Sequence, residues 1–518
     1  MIKNIFIAFL LFSLLFDNSA HAQEPMMKDK MMSKGGMMMS LHEISVPVDE
    51  AITSQNTTVI KGKTIPYTAT AGFQPVWDEE GHPIASLLYT YYKRSDIKND
   101  ENRPLLISFN GGPGSASVWM HIAYTGPRIL KISDEGFPVQ PYGIKSNPNS
   151  ILDVADIVFV NPVNTGYSRM LPKKDGSMPD KKLFFGVNAD IKYLAEWVNT
   201  FVTRNNRWRS PKFLIGESYG TTRVSGLAHE LQSRKWMYIN GVVLVSPTEI
   251  GFEFEGPVEV ANRLPYYTAA AWYHKMLPPA LQNKDLPGAL AESEAYATNE
   301  LLPLLVNPGG LDQNTKEQAI ERMSYFSGLS KKTIRQHNLE VPYRYFWKDL
   351  LRDRDGLTIG RLDSRYKGLD VKEAGDNPDY NSELTAWLQA FTPAINYYYQ
   401  EELALTTDLD YNMFGPVRPW DRTNNNAGPN LRKAMSINPN MHVMIQSGYF
   451  DGATTYFNAK YIMWQLNING KLSDRLSFKG YRSGHMMYLR NEDLIKANDD
   501  LREFIKTATN KIEQEAKH

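Results

Sequence analysis

Apolar residues recur along this chain in two alternating rhythms. Short unbroken runs at Leu105–Phe109, Ile157–Val160, Phe213–Ile215 and Val242–Val245 read as strands buried on both faces. Between them, Ile191, Leu194, Ala195, Val198 and Val202 share one helical face behind a candidate cap at Asn188, and Val224, Leu227, Ala228 and Leu231 repeat that face. Strand, helix, strand, helix, strand predicts an α/β fold: a mostly parallel central sheet flanked by helices. Upstream, "TIPYTATAGFQPVWDEEGHPIASLLYTYYKR" predicts two strands around the turn "DEEGHP". From 251 to 440 the rhythm becomes long, aromatic and largely helical, and is expected to form a helical cap insertion lying over the sheet. Alternation resumes with strands at Val443–Ile445 and Leu476–Phe478. Leu494, Ala497, Leu501, Phe504 and Ile505 then mark a last amphipathic helix. The core is thus expected in two parts, 42–250 and 441–518.

The ends and the composition narrow the setting. Lys3, the apolar run "IFIAFLLFSLLF" and the small-residue site ending at Ala22 predict a secretory signal peptide over 1–22, with an uncleaved membrane anchor as the alternative. The run is shorter than the roughly 20 residues of a bilayer span. Residues 23–41 form a Met-rich stretch without helical or strand period, expected to be a tether, with a soft thioether site for Cu(I) as the alternative. The chain is expected to be exported, periplasmic or secreted. It has 0 cysteines, which fits a bacterial periplasm and leaves stability to packing. Its 57 basic and 57 acidic side chains provide no field for nucleic acid or an anionic membrane as partner. Nothing in the pattern speaks to oligomeric state.

The chemistry concentrates at "GESYG", Gly216 to Gly220. A serine between glycines, on a turn from a buried strand into a helix, is the nucleophile elbow of α/β-hydrolases. The turn is sharp, glycine avoids collisions there, and the following helix aims its first amides at a developing oxyanion. Ser218 then needs a base and an orienting acid, which in this fold follow it in the order acid, histidine. His229 lies on the helix leaving the elbow, His274 and His337 lie in the insertion, and His442 starts a strand at its wrong end. His485, in a glycine-bearing loop before the last helix, is the expected base, and Asp451, in "VMIQSGYFDG", the expected acid. "SFNGGPGSAS" exposes backbone amides after an early strand, so Gly112 and Tyr219 are assigned as the oxyanion donors. No phosphate loop, His-Glu-x-x-His or cysteine supports a cofactor or metal, and none is expected. "GRLDSRY" (Gly360 to Tyr366) and "NYYYQ" (Asn396 to Gln400) are expected to serve packing and ion pairs, with an aromatic substrate wall as the alternative.

"NGGPG" (Asn110 to Gly114), "NPVNTGYS" (Asn161 to Ser168), "GESYG", "GYFDG" and "SGHM" together, in this order, resemble the serine carboxypeptidase family, peptidase family S10. The resemblance implies an α/β-hydrolase fold, a Ser218–Asp451–His485 triad and an acyl-enzyme route to cleaving C-terminal peptide bonds. Peptide or protein C-termini would be the substrates. It also implies that Asn110, Gly111 and Glu217 hold the substrate's terminal carboxylate. The family pairs that glutamate with a second one before "TGP", where this chain has Tyr124, so carboxylate recognition is expected to be missing a partner or differently built. The alternatives are an esterase, an acyltransferase, a prolyl-type aminopeptidase or another serine peptidase on this fold, and a non-catalytic binding protein.

Overall fold

The structure, a computed structural model, describes residues 44–515. The leader and the Met-rich stretch lie outside the described residues. Two long strands, β1 (Ala51–Ile60) and β2 (Lys63–Trp77), pair antiparallel, and β2 pairs with β3 (Pro83–Arg94) across the Asp78–His82 turn. The apolar runs then form β4 (Leu105–Phe109) and β5 (Asp156–Val160). After helix α1 (Val187–Arg204) comes β6 (Lys212–Glu217), and after α2 (Tyr219–Arg234) comes β7 (Gly241–Val245). Gly186, not Asn188, is the residue before α1. The Asn188 side chain instead donates to the Thr423 carbonyl at 3.3 Å, inside the first turn.

Through 251–440 the chain is largely helical, beginning with α3 (Pro257–Tyr273) and including α4 (Tyr343–Asp349), α5 (Ser382–Tyr397) and α6 (Ala427–Ile437), with one short antiparallel pair at Thr358–Ile359 and Lys367–Gly368. Their packing is divided. Leu264, Tyr267, Phe326 and Phe346 make a hydrophobic cluster of their own. Trp387 and Phe391 of α5 join the cluster on one sheet face, and Leu431, Ala434 and Met435 of α6 join the cluster on the other. The last strands are β8 (His442–Gly448) and β9 (Leu476–Tyr481), followed by α7 (Asn491–Glu515).

In the sheet the order is β1-β2-β3-β5-β4-β6-β7-β8-β9. Everything from β5 to β9 is parallel. Successive side chains alternate between the two faces: Leu105, Ile107 and Phe109 enter one cluster and Leu106 the other, so neither face meets water. The order reverses at β4. The chain leaves β4 for β5 on one side and returns over it to β6 on the other, which opens a crevice at the carboxyl ends of β4 and β6.

Candidate active site

Strand pairing places the motifs. Phe109 of β4 is opposite Gly216 of β6, so Asn110–Gly112 and Glu217–Tyr219 leave the sheet side by side. Gly448 of β8 is opposite Tyr481 of β9, which does the same for the loops carrying Asp451 and His485.

Ser218 joins β6 to α2 at φ 57° and ψ −127°, a strained backbone for a side chain other than glycine. Its amide donates to the Val245 carbonyl at 2.9 Å. The flanking glycines have steric reasons. A Cβ at Gly216 would strike the Gly220 carbonyl, and one at Gly220 would lie 2.8 Å from the Phe109 carbonyl oxygen. Gly111 presses on the elbow from the other side: a Cβ there would lie 2.5 Å from both the Glu217 carbonyl oxygen and the Tyr219 nitrogen. Gly112 follows at φ +102°, a conformation that favours glycine. The Tyr219 amide is the first of its helix, so no carbonyl one turn back can accept from it.

His485 Nδ1 lies 2.7 Å from Asp451 Oδ2. An ionised carboxylate can only accept, so Nδ1 donates and Nε2 is left as the basic nitrogen. Asp451 is buried and fully engaged: Oδ1 accepts from the Ala453 and Thr454 amides at 2.8 and 3.0 Å, and the Thr454 hydroxyl lies 2.7 Å from Oδ2. Ser246 ties this pair to the elbow. It follows Val245, the acceptor of the Ser218 amide, and its hydroxyl donates to the His485 carbonyl at 2.7 Å. Burial pulls the His485 pKa down, but the Asp451 charge and hydrogen bond, with Glu217, outweigh it and the net shift is upward.

Glu217 is 3% exposed. Asn110 Nδ2 donates to its Oε1 at 3.1 Å, and the Tyr488 hydroxyl donates to its Oε2. Burial pushes its pKa up to about 7. His485, Tyr488 and Asn110 pull against that rise, and Asp451 adds to it. The Tyr124 hydroxyl is turned to another partner, donating to Gln446 Oε1 at 2.7 Å. The differently built partner is therefore a phenol, Tyr488, three residues beyond His485. Sequence reasoning missed it, because a tyrosine in a buried loop carries no spacing signal.

It also missed Arg223 on α2. This guanidinium is fully buried, pairs with Asp190 of α1 at 2.7 Å, and donates to the Asn110 and Pro113 carbonyls at 2.6 and 3.2 Å. It clamps the glycine loop to the elbow helix. The only signal was an arginine at a position one turn before the apolar Leu227 on a helix otherwise buried there.

"GRLDSRY" packs against the same loops: the His485 amide donates to the Leu362 carbonyl at 2.6 Å, and the Gly452 amide to the Arg361 carbonyl at 2.9 Å. Inside it, Asp363 and Arg365 form a buried pair at 2.6 Å. In "NYYYQ", Tyr398 and Tyr399 are core residues bonded to Tyr92 and Thr90. Among the described residues the one cluster with metal-ligand spacing is Asp78, Glu80 and His82 in a surface turn, closed by its own hydrogen bond from the His82 amide to Asp78 Oδ1 at 2.7 Å. No helix among the described residues is long and apolar enough to cross a membrane.

Comparison with known proteins agrees with this architecture. The serine carboxypeptidase family model matches residues 61–487. Two Arabidopsis thaliana relatives are serine carboxypeptidase-like 9, 25% identical over 198 residues, and serine carboxypeptidase-like 20, 28% identical over 171 residues. These alignments take in 36% and 32% of this chain and only 42% and 31% of those proteins. Among solved structures, a prohormone-processing carboxypeptidase from Saccharomyces cerevisiae superposes with a TM-score of 0.50 at 13% identity, covering 85% of this chain and 91% of that one. The fold is that of the α/β-hydrolases, and the chain belongs to the serine carboxypeptidase family.

Proposed function

We propose that this protein is an exported serine carboxypeptidase that removes residues from peptide C-termini through an acyl-enzyme. The observation that carries the reading is the 2.7 Å Asp451–His485 pair, tied by Ser246 to a strained elbow serine. Ser218 Oγ attacks the carbonyl of the last peptide bond while His485 Nε2 takes its proton. The Gly112 and Tyr219 amides receive the oxyanion. His485 then gives the proton to the departing amine, and the C–N bond breaks. Water, deprotonated by His485, attacks the ester and releases Ser218 and the shortened peptide acid. Export rests on the 1–22 leader pattern.

In this reading Asn110, Gly111 and Glu217 hold the substrate's free carboxylate. Two ionised carboxylates repel, so Glu217 must hold a proton to receive it, and burial to about 7 supplies that proton below neutral pH. The phenol at Tyr488, in place of a second carboxylate, keeps a second reading open: an esterase, acyltransferase or other serine peptidase on this fold.

The test is a pair of pH–rate curves for a blocked dipeptide as free acid and as amide. The acid's kcat/KM should fall above pH about 7 as Glu217 ionises, and the amide's should not. Glu217→Gln should flatten the acid's decline. Superimposable wild-type curves would favour the second reading.

A further inference from the structure

Arg361 is the second residue of "GRLDSRY", and the two carbonyls that follow its α-carbon fasten it to the acid–base pair. Its own carbonyl accepts from Gly452, next to Asp451, and the next carbonyl, of Leu362, accepts from the His485 amide. A Cβ at Gly484 would strike that same Leu362 carbonyl, so the segment has no slack. Behind it, the buried Glu383 accepts the Leu362 amide at 2.8 Å, so this carboxylate holds the segment's backbone.

Among the described residues, no carboxylate lies within ion-pair distance of the Arg361 guanidinium, and no acceptor takes a hydrogen bond from it. The fully buried arginines Arg223, Arg365 and Arg207 each have a carboxylate partner, Asp190, Asp363 and Asp156. Arg361 is only partly buried, so solvent reaches it. The charges acting on it come from Glu383, Asp451 and a second arginine, Arg344, which is exposed on α4. Arg344 likewise has no ion-pair partner among the described residues. Burial, the largest influence on Arg361, disfavours its charge, yet a guanidinium stays protonated and has to find an anion or water. Gly452, bonded to the Arg361 carbonyl, faces an aromatic wall: Trp347 of α4 donates to the Tyr266 hydroxyl at 2.9 Å, and both side chains abut Gly452.

The side of the site is set by the chemistry. His485 must protonate the departing amine, so the departing residue lies on the histidine's side of Ser218. Arg361 stands on that side: its backbone is bonded to the Asp451 and His485 loops, and its charge acts on both His485 and Asp451. Resting on the carboxypeptidase reading, we infer that Arg361, with Arg344 at its rim, is a specificity-determining residue that binds a carboxylate on the departing residue. The carboxylate is that residue's acidic side chain, because Asn110, Gly111 and Glu217 take the α-carboxylate in the reading this rests on, and a guanidinium fork suits it.

The experiment compares wild type, Arg361→Gln and Arg361→Lys on blocked dipeptides ending in Glu, in Gln and in Gln-amide. Circular dichroism checks the fold of each variant. The same peptides are titrated calorimetrically into Ser218→Ala with and without Arg361→Gln. Side-chain recognition predicts a Glu-over-Gln preference of about tenfold or more in wild type that Arg361→Gln abolishes and Arg361→Lys partly keeps. A collapse of the acid-over-amide ratio instead would give Arg361 the α-carboxylate and overturn the side-chain assignment. If the wild type releases C-terminal residues and both ratios survive Arg361→Gln, the inference is wrong and the carboxypeptidase reading stands. If binding shows the Arg361-dependent preference but no residue is released, the carboxypeptidase reading fails and takes with it the assignment of the bound carboxylate to a departing residue. If neither binding nor release occurs, both fall.

Discussion

The ring of Tyr124 lies flat on the ring of Tyr488, centroids 4.8 Å and planes 7° apart, and the Tyr488 hydroxyl donates to Glu217. Tyr124 is itself anchored on Gln446 of β8, so the stack fixes the phenol that meets the glutamate. The residue standing where the family has its second carboxylate thus acts on Glu217 at one remove. A neutral donor replaces a shared proton, which leaves burial as the main force on the Glu217 pKa.

Tyr488→Phe removes a hydrogen bond that holds the Glu217 pKa down. Glu217 should then keep its proton to higher pH, and the alkaline limb of peptide-acid hydrolysis should move up from about 7. A pH–rate profile of the variant against wild type checks this. A limb that moves down or stays put counts against the assignment.

Ser218→Ala and His485→Ala should each remove nearly all turnover. Asp451→Asn should cost up to about 10⁴-fold, because an amide in its place no longer selects the histidine tautomer. Turnover of a blocked dipeptide, with circular dichroism as the control for folding, decides it. More than about a per cent of activity in Ser218→Ala would mean a different nucleophile.

Gly111→Ala puts a methyl 2.5 Å from the Tyr219 nitrogen and the Glu217 carbonyl oxygen. Backbone lies on both sides, so the loop must shift and the amide of Gly112 shifts with it. One lost oxyanion donor is worth about 10²–10³-fold in kcat. Single-turnover kinetics should show slowed acylation, and an unchanged rate would place the oxyanion donors elsewhere.

Arg223→Met leaves Asp190 buried without its partner and frees the carbonyls of Asn110 and Pro113. Stability should fall by about 3–5 kcal/mol. Changing both Arg223 and Asp190 to apolar residues should recover part of it. Denaturant unfolding of the single and double variants measures this, and equal stability in the single variant would remove Arg223 from its clamping role.

Glu383 is pushed by burial from 4.5 up to about 7. Between those values the folded chain binds more protons than the unfolded one, so stability drops as pH rises through the window. Glu383→Gln keeps an acceptor for the Leu362 amide and loses the buried charge. Relative to wild type it should gain up to about 3 kcal/mol on going from pH about 5 to pH about 8. Melting curves at both values test it, and a gap that does not widen would show that Glu383 ionises freely.

The strands at Leu105–Phe109, Phe213–Ile215 and Val443–Ile445, the elbow at Ser218 and the loops of Asp451 and His485 were all legible in the sequence. Each is written in a local rhythm: an unbroken apolar run, a helical face, a glycine forced by a turn. Tertiary structure alone decided which loops became neighbours. The pairing of Phe109 with Gly216 set Gly111 on the elbow, and that of Gly448 with Tyr481 set Asp451 beside His485. The helix start at Gly186 rather than Asn188 was likewise decided by contact, because the chain near Thr423 takes the asparagine side chain. Tyr488, 271 residues from Glu217, and Arg361, carried to His485 by the insertion, left no mark in local spacing. Periodicity records which face of an element is buried; it does not record which distant polar group a buried carboxylate or guanidinium will meet, because that partner is chosen by packing across the whole sheet.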